Sequence, residues 1–504
     1  MPADLFLTSK AKHKLELFRK IVHTKQWELP VAEQVKLTRE GTAEIGEVNL
    51  RRLAPLLKWN YGTIYYTYLQ LLDDLKQIVG NENAELSQLF KVKDGTLRMA
   101  LVRQSVPFLL LQHLLAEDQT SFAEFIESSG VSRETCLRYL RPIRDMGKRL
   151  EVRIVYENMQ IHGDESRIRV FLTLVYWLAT DGAAWPFTSY SQPQAKAIVM
   201  RLMHAFDLNY RSPVLREVLA YYIAVTNTRI MHNHRLHSPV PLALGNVANL
   251  FADNSALTYQ EQVSESQHLY LINFLLPLPY AVNDPAIQPT IDKFKTISPD
   301  GYLFTKAFMQ NLPHTVLTPE QLAGPLGPLL ELSLLAIGMS VSALGFDLGS
   351  QIAYAFNQQV MTAPKDGNLQ VLIQKTVKET MQAISTKPLM SLTAPLTRAI
   401  YANFLQLRRY TNPTKVVRVA LLIEPVTLGF IDLVSFIEQL PFVTVLYDHY
   451  ETADLIIKDS SLSIDLSNAK KRPLIFRWDM NASSDLFGEL FSLIHNLQQE
   501  KLTE

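Results

Sequence analysis

Cysteine is almost missing from this chain, for Cys136 is the single one in 504 residues. That excludes an intrachain disulfide framework and a cysteine-ligated metal cluster, and it suits a reducing compartment. Net charge is missing too, with 49 basic and 49 acidic residues, so any electrostatic partner must be met by a local patch. The chain has no Walker A loop, no dinucleotide-binding glycine fingerprint and no His-Glu-x-x-His, which removes common signatures of nucleotide-dependent and zinc enzymes. His232-Asn233-His234 and His237 cluster without nearby carboxylates or cysteines, so neither a metal nor a cofactor is expected. Met1-Pro2-Ala3-Asp4 lacks the basic and then apolar pattern of a secretory signal, and a cytoplasmic protein is expected. The longest uncharged apolar run, Leu332 to Phe346, is 15 residues. It is too short for a bilayer and fits a buried helix, so no membrane partner is expected. A hydrophobic content of 47% excludes a largely disordered chain, and the length demands several domains.

The segment Ser121 to Arg153 carries the most information. Ser121-Phe-Ala-Glu124 opens a short helix with a capping-box pattern, and Gly130-Val131-Ser132 makes a tight turn into a second helix. Cys136, Leu140 and Ile143, spaced i, i+4, i+7, face a core. Arg133, Glu134, Leu137, Arg138, Arg141 and Arg144, with Lys148 and Arg149 beyond, fall outside that stripe. From Ser132 to Arg153 there are seven basic and three acidic residues, a local enrichment that a phosphate backbone rewards. The alternation Leu150, Val152, Ile154, Tyr156, then Met159 and Ile161, predicts a β-hairpin wing. Pro142 predicts a bend or an early end of the second helix, with base-reading residues before it. Together these features read as a winged helix-turn-helix that binds duplex DNA.

A helical hairpin alone is common in any all-α protein, but here it occurs twice. Shifted back by 72 residues, Phe122, Phe125 and Ile126 fall on Leu50, Leu53 and Ala54, and Ser132 falls on Asn60. Cys136, Leu140 and Ile143 fall on Ile64, Tyr68 and Leu71. The outer face of the first copy offers Tyr61, Tyr65 and Tyr66 in place of cations, an accessory contact to DNA. Because the exposed set of the second copy is arginine-rich, with Glu134 and Leu137 as its other base readers, DNA shape is expected to matter more than bases.

Helix-period apolar stripes follow from about Glu165 to Arg408, in two blocks divided by proline-rich breaks at Leu276 to Pro279 and Pro285 to Pro289. A linker from Arg408 to Lys415 precedes a change of class. Val416 to Ile423, Phe442 to Tyr447, Asp454 to Lys458 and Pro473 to Trp478 read as strands between helices at Gly429 to Leu440 and Ser484 to Gln498, a small α/β domain with a mainly parallel sheet. The fold class expected is therefore multi-domain and mainly α. Its parts are helix-turn-helix units at 1–95 and 96–164, both winged, helical bundles at 165–283 and 284–409, and an α/β domain at 415–504.

This order of parts, with the wing ending His162-Gly163-Asp164-Glu165-Ser166-Arg167-Ile168-Arg169, resembles the Mga/AtxA-like global transcription regulators of Gram-positive bacteria. The resemblance implies that the bundles are phosphotransferase-system regulatory (PRD) domains and that the last domain is EIIB-like. It further implies a virulence-type activator, homodimeric through those domains, and regulated by histidine phosphorylation from a phosphotransferase phosphocarrier. The histidines it brings forward are His204, His268, His232 and His234. Thr226 stands where such a helix usually carries a histidine before its Arg. In the C-terminal domain, Glu424 to Gly429 replaces the expected nucleophilic cysteine loop, which excludes phosphocysteine chemistry and argues against an enzyme. The alternative readings are an RNA-binding antiterminator, disfavoured because A-form RNA admits no recognition helix, and a non-catalytic interaction protein linked to sugar transport.

Overall fold

Side-chain caps set out the first third of the chain. In a computed structural model, the described residues are 5–27, 45–118, 121–205, 213–236, 247–275, 284–349, 351, 367–384, 392–411, 416–422, 431–446, 450–458, 466, 472–478 and 484–503. The chain is mainly helical, with a small parallel sheet near its C-terminus. It forms two compact units, one of 1–281, 296–298 and 339–358, the other of 282–295, 299–338 and 359–504.

The first unit starts with α1 (Ser9–Trp27), α2 (Leu50–Leu57), α3 (Tyr61–Val79) and α4 (Leu86–Leu89). Ion pairs tie α1 to α3 through Lys14 and Asp74 at 2.6 Å, and to the following helix through Arg19 and Asp94 at 2.7 Å. Next come α5 (Asp94–Arg103) and α6 (Val106–Ala116), bent by 71° at a break that Ser105 caps. Neither was anticipated from the sequence. Then follow α7 (Phe122–Ser129), α8 (Arg133–Arg149) and the antiparallel pair β1 (Arg153–Val155) and β2 (Gln160–His162). The wing of the second copy is therefore present. The first copy has none among the described residues: after α3 the chain turns at Gly80 into α4, where Asn81 to Glu85, polar apart from Ala84, lack the alternation a hairpin needs.

Four more helices follow in this unit, namely α9 (Glu165–Thr180), α10 (Gln192–Ala205), α11 (Pro213–Met231) and α12 (Tyr259–Leu275). Helix α9 is buried on nearly every side and packs on α5 and α11, which is what an all-round apolar helix requires. Arg98 on α5, itself buried, donates to the Leu178 and Ala179 carbonyls at the end of α9. It thereby satisfies acceptors that a helix end leaves open.

In the second unit lie α13 (Ile287–Ile297) up to Lys295, α14 (Pro299–Asn311), α15 (Pro319–Ala323), α17 (Gly367–Ile384) and α18 (Thr393–Thr411), with α16 (Leu326–Leu344) shared between the units. The break expected at Pro285 to Pro289 is in fact a helix start. Pro289 is the third residue of α13, where no intrahelical hydrogen bond is forfeited. The break at Leu276 to Pro279 lies outside the described residues. Residues 408–411 of the expected linker belong to α18. Helix α16 has 19 residues and is apolar enough to cross a membrane, longer than the uncharged run suggested, because Glu331 is taken into it; most of it is buried in the protein.

At the C-terminus, β3 (Val417–Leu422), β4 (Val443–Leu446), β5 (Leu455–Lys458) and β6 (Leu474–Arg477) form a parallel sheet of order β4-β3-β5-β6, with α19 (Ile431–Glu438) and α20 (Ser484–Thr503). Val417, Val419, Leu455 and Ile457 alternate onto one face, in a core with Leu433, Ile437, Leu490 and Ile494 from the two helices. Ala420 and Ile456 point to the other face, the two-residue period of a strand.

Candidate nucleic-acid interface

The second helix of the second copy is built by local signals. Ser121 accepts the Glu124 N–H at 3.3 Å, and Gly130 takes a left-handed φ of 66° that ends α7. Ser132 accepts the Thr135 N–H at 3.3 Å and starts α8. Cys136, Leu140 and Ile143 are fully buried, as the spacing predicts. Burial pushes the Cys136 thiol up to about 11, only partly offset by the nearby charge of Arg133. This cysteine is packing material.

Helix α8 presents Arg133, at its N-terminus beside the buried stripe, and Glu134, Arg138, Arg141, Lys148 and Arg149, on the side away from it, to solvent. Arg133 lies over the Phe122 ring at 5.5 Å and Arg138 over the Tyr139 ring at 5.4 Å. Arg141 is within 3.6 Å of Asp145, one turn on. Two expected members sit differently, for Leu137 and Arg144 are half-buried. Arg144 stands about 80° from Cys136 around the helix, close to the buried stripe, and its charge acts on the Tyr156 hydroxyl of the wing. Pro142 does not end α8, which runs through it to Arg149. Pro142 offers no N–H to the Arg138 carbonyl, and the cost is small enough for the helix to continue at this exposed residue. The strand entering the wing is tied to this helix because the Val152 N–H donates to the Gly147 carbonyl at 2.8 Å. A Cβ on Gly147 would come within 2.9 Å of the Val152 oxygen.

The first copy repeats this frame at a distance of 72 residues. Asn49 accepts the Arg52 N–H and Asn60 accepts the Thr63 N–H at 2.8 Å, matching Ser121 and Ser132. Lys58 takes a left-handed φ of 56° where the second copy has Gly130. Leu50, Leu53, Ile64 and Leu71 are buried, while Tyr61, Tyr65 and Tyr66 are exposed. Tyr68, matching Leu140, is only half-buried.

Below the wing lies an ion network that sequence reasoning missed. Arg169 on α9 is fully buried and grips Glu265 on α12 with two nitrogens, at 2.5 and 3.1 Å. Its Nε donates to Glu165 at 3.0 Å. Glu165 accepts two bonds from Arg229 on α11, at 3.1 and 2.8 Å, and Arg229 reaches Glu117 at 2.8 Å. His234 Nε2 meets the same Glu117 oxygen at 2.6 Å. Burial opposes the charge of Arg169, yet the charge and hydrogen bonds of Glu265 hold its pKa above the ordinary value. Burial would raise Glu117, but the His234 hydrogen bond and the charges of His234 and Arg229 carry it below its usual range. The network joins the end of α6, the start of α9, α11 and α12. Its one sequence signal is Glu165 and Arg169 at i, i+4.

Among the histidines, His204 is exposed at the end of α10 and His232 is half-buried. His234 is engaged by Glu117. His268 is buried on α12, which contradicts the exposure expected of a phosphoacceptor: its whole stretch of helix from Glu265 to Leu275 is nearly all buried, so no polar face remains there. Thr226 is buried as well. His237 and the loop from Glu424 to Gly429 lie outside the described residues. Among the described residues, no group of three or more His, Cys, Asp or Glu side chains is placed to hold a metal.

Residues 93–176 match the family model of the Mga helix-turn-helix domain. The match covers α5 to β2 and most of α9, and it points to a DNA-binding transcription regulator. No curated protein matches the chain.

Proposed function

We propose that this chain, which carries an Mga-type helix-turn-helix domain, is a cytoplasmic, non-enzymatic transcription regulator of the activator kind, holding duplex DNA with the exposed face of α8. The observation that supports the reading is the exposed set Arg133, Arg138 and Arg141 on a helix with the turn, caps and buried triplet expected of a recognition helix, inside the matched domain. Arginine there serves both phosphate contact and bidentate contact to guanine. The wing, pinned at Gly147, would lie along the adjacent backbone.

Homodimerisation through the helical and C-terminal domains belongs to the same proposal, as does control by the phosphotransferase system through an exposed histidine. Of the histidines considered, His204 meets the requirement of an accessible ring best. With the single cysteine at Cys136, buried in the helix-turn-helix, the C-terminal α/β domain serves association or sensing in place of phosphocysteine chemistry.

The test is duplex-DNA affinity against salt for the wild type and for Arg138→Ala/Arg141→Ala. Loss of two phosphate contacts flattens the slope of log K against log salt by about 1.8. Tight binding with an unchanged slope would remove α8 from the interface. Preference for an RNA duplex or hairpin over DNA would favour the antiterminator reading.

A further inference from the structure

The two hairpins are the same frame with the charges exchanged. In the 72-residue register, Tyr61, Gly62, Tyr65, Tyr66 and Leu69 take the seats of Arg133, Glu134, Leu137, Arg138 and Arg141. All four large side chains of the first set are exposed, Tyr66 by 68%. The rings are already ordered against one another, with Tyr61 and Tyr65 at 6.3 Å and Tyr65 and Tyr66 edge-on at 6.0 Å. The cations of this hairpin lie elsewhere. Arg51 and Arg52 in the first turn of α2 and Lys58 in the connecting turn are exposed, at the seats of Ala123, Glu124 and Gly130. The second hairpin thus has its cations on its second helix, whereas the first has them on the helix before and in the turn, with Lys76 alone, at the seat of Lys148, on its second helix.

In a docked helix-turn-helix the first helix crosses the phosphate backbone while the second enters the major groove. Charge on α2 and on the turn suits phosphates. An aromatic and aliphatic surface in the groove suits the one apolar group displayed there, the thymine methyl. Gly62, at the seat of Glu134, leaves no side chain between the tyrosines and the base edges.

Resting on the function proposed above, we infer that the first hairpin is a second duplex-DNA reader. Arg51 and Lys58 hold phosphates, and Tyr61, Tyr65, Tyr66 and Leu69 recognise thymine methyl groups. The occupant is DNA because the apolar face is rimmed by cations and sits in the same capped frame as α8. The two copies divide the work. The second supplies salt-dependent affinity, and the first supplies a preference for A·T pairs that salt does not erase.

The experiment uses the full-length chain, an A·T-rich 40-base-pair duplex and the same duplex with uracil in place of thymine. Wild type binds the thymine duplex more tightly, by about four-fold for each methyl buried. Tyr65→Ala/Tyr66→Ala loses this ratio and keeps its salt slope. Tyr65→Phe/Tyr66→Phe keeps the ratio, because the ring and not the hydroxyl makes the contact. Arg51→Ala/Lys58→Ala flattens the slope by about 1.8 and keeps the ratio. Circular dichroism of every variant shows that the fold survives. Equal affinity of wild type for both duplexes would overturn the inference, as would a ratio that persists in the Ala variant. If Arg138→Ala/Arg141→Ala weakens binding while thymine and uracil remain equal, the parent reading stands and the tyrosine face passes to a protein partner. If wild type binds neither duplex, both fall.

Discussion

Replacing Arg169 by Met removes the centre of the ion network and tests whether that network holds the first unit together. Arg169 has no exposed side-chain surface and Glu265 has 2%. After the substitution Glu265 is left as a buried carboxylate without its main partner. Breaking one member of such a pair costs about 3–5 kcal/mol, because the remaining charge keeps its desolvation penalty. The unit has roughly 300 residues, so its unfolding entropy is about 0.6 kcal/mol per kelvin. The loss therefore corresponds to about 5–8 °C in the midpoint of its calorimetric transition. Arg169→Met/Glu265→Leu recovers most of that shift, since it removes both charges and leaves Glu165 paired with Arg229. Scanning calorimetry of the two singles and the double, with the C-terminal domain transition as internal reference, decides it. A single-variant shift below about 2 °C, or a double variant no better than Arg169→Met, would refute the reasoning.

The two left-handed turns make opposite predictions. Gly130→Ala places a Cβ at a φ of 66° and costs about 1–2 kcal/mol, whereas Lys58→Gly relieves strain of the same kind and stabilises its hairpin by a similar amount in urea unfolding. Cys136, with its thiol pushed up to about 11 and buried, stays unmodified by iodoacetamide at pH 8 in the native protein. It reacts fully once the chain is unfolded in urea, and equal rates in both states would contradict its place in the core. Glu117 is held below its ordinary value when folded. Its contribution is present above the unfolded value of about 4.3 and is lost as pH falls through the lower folded one. Glu117→Gln therefore loses less stability than wild type between about pH 5 and pH 3 in an acid titration followed by circular dichroism, and parallel curves would argue against it.

Sequence alone determined the elements whose signals lie within a turn or two of chain. Ser121, Ser132, Asn60 and the triplet Cys136, Leu140 and Ile143 are all of this kind, and the 72-residue repeat is the same set of local signals occurring twice. Caps act on N–H groups three residues away, and apolar spacing is a property of one helix. The C-terminal strands were legible for the same reason, since β3 to β5 are apolar runs between turn residues. Tertiary structure decided the rest. Pairing of Arg169 with Glu265 spans 96 residues and that of Glu117 with Arg229 spans 112, so no local window holds both partners. The strand order β4-β3-β5-β6 is set by crossovers over the sheet, not by any one strand. His268 and Arg144 show the same limit from the other side. Each lies on a helix legible in the sequence, but whether it meets water or protein depends on what packs against that helix, and long-range packing alone settles that.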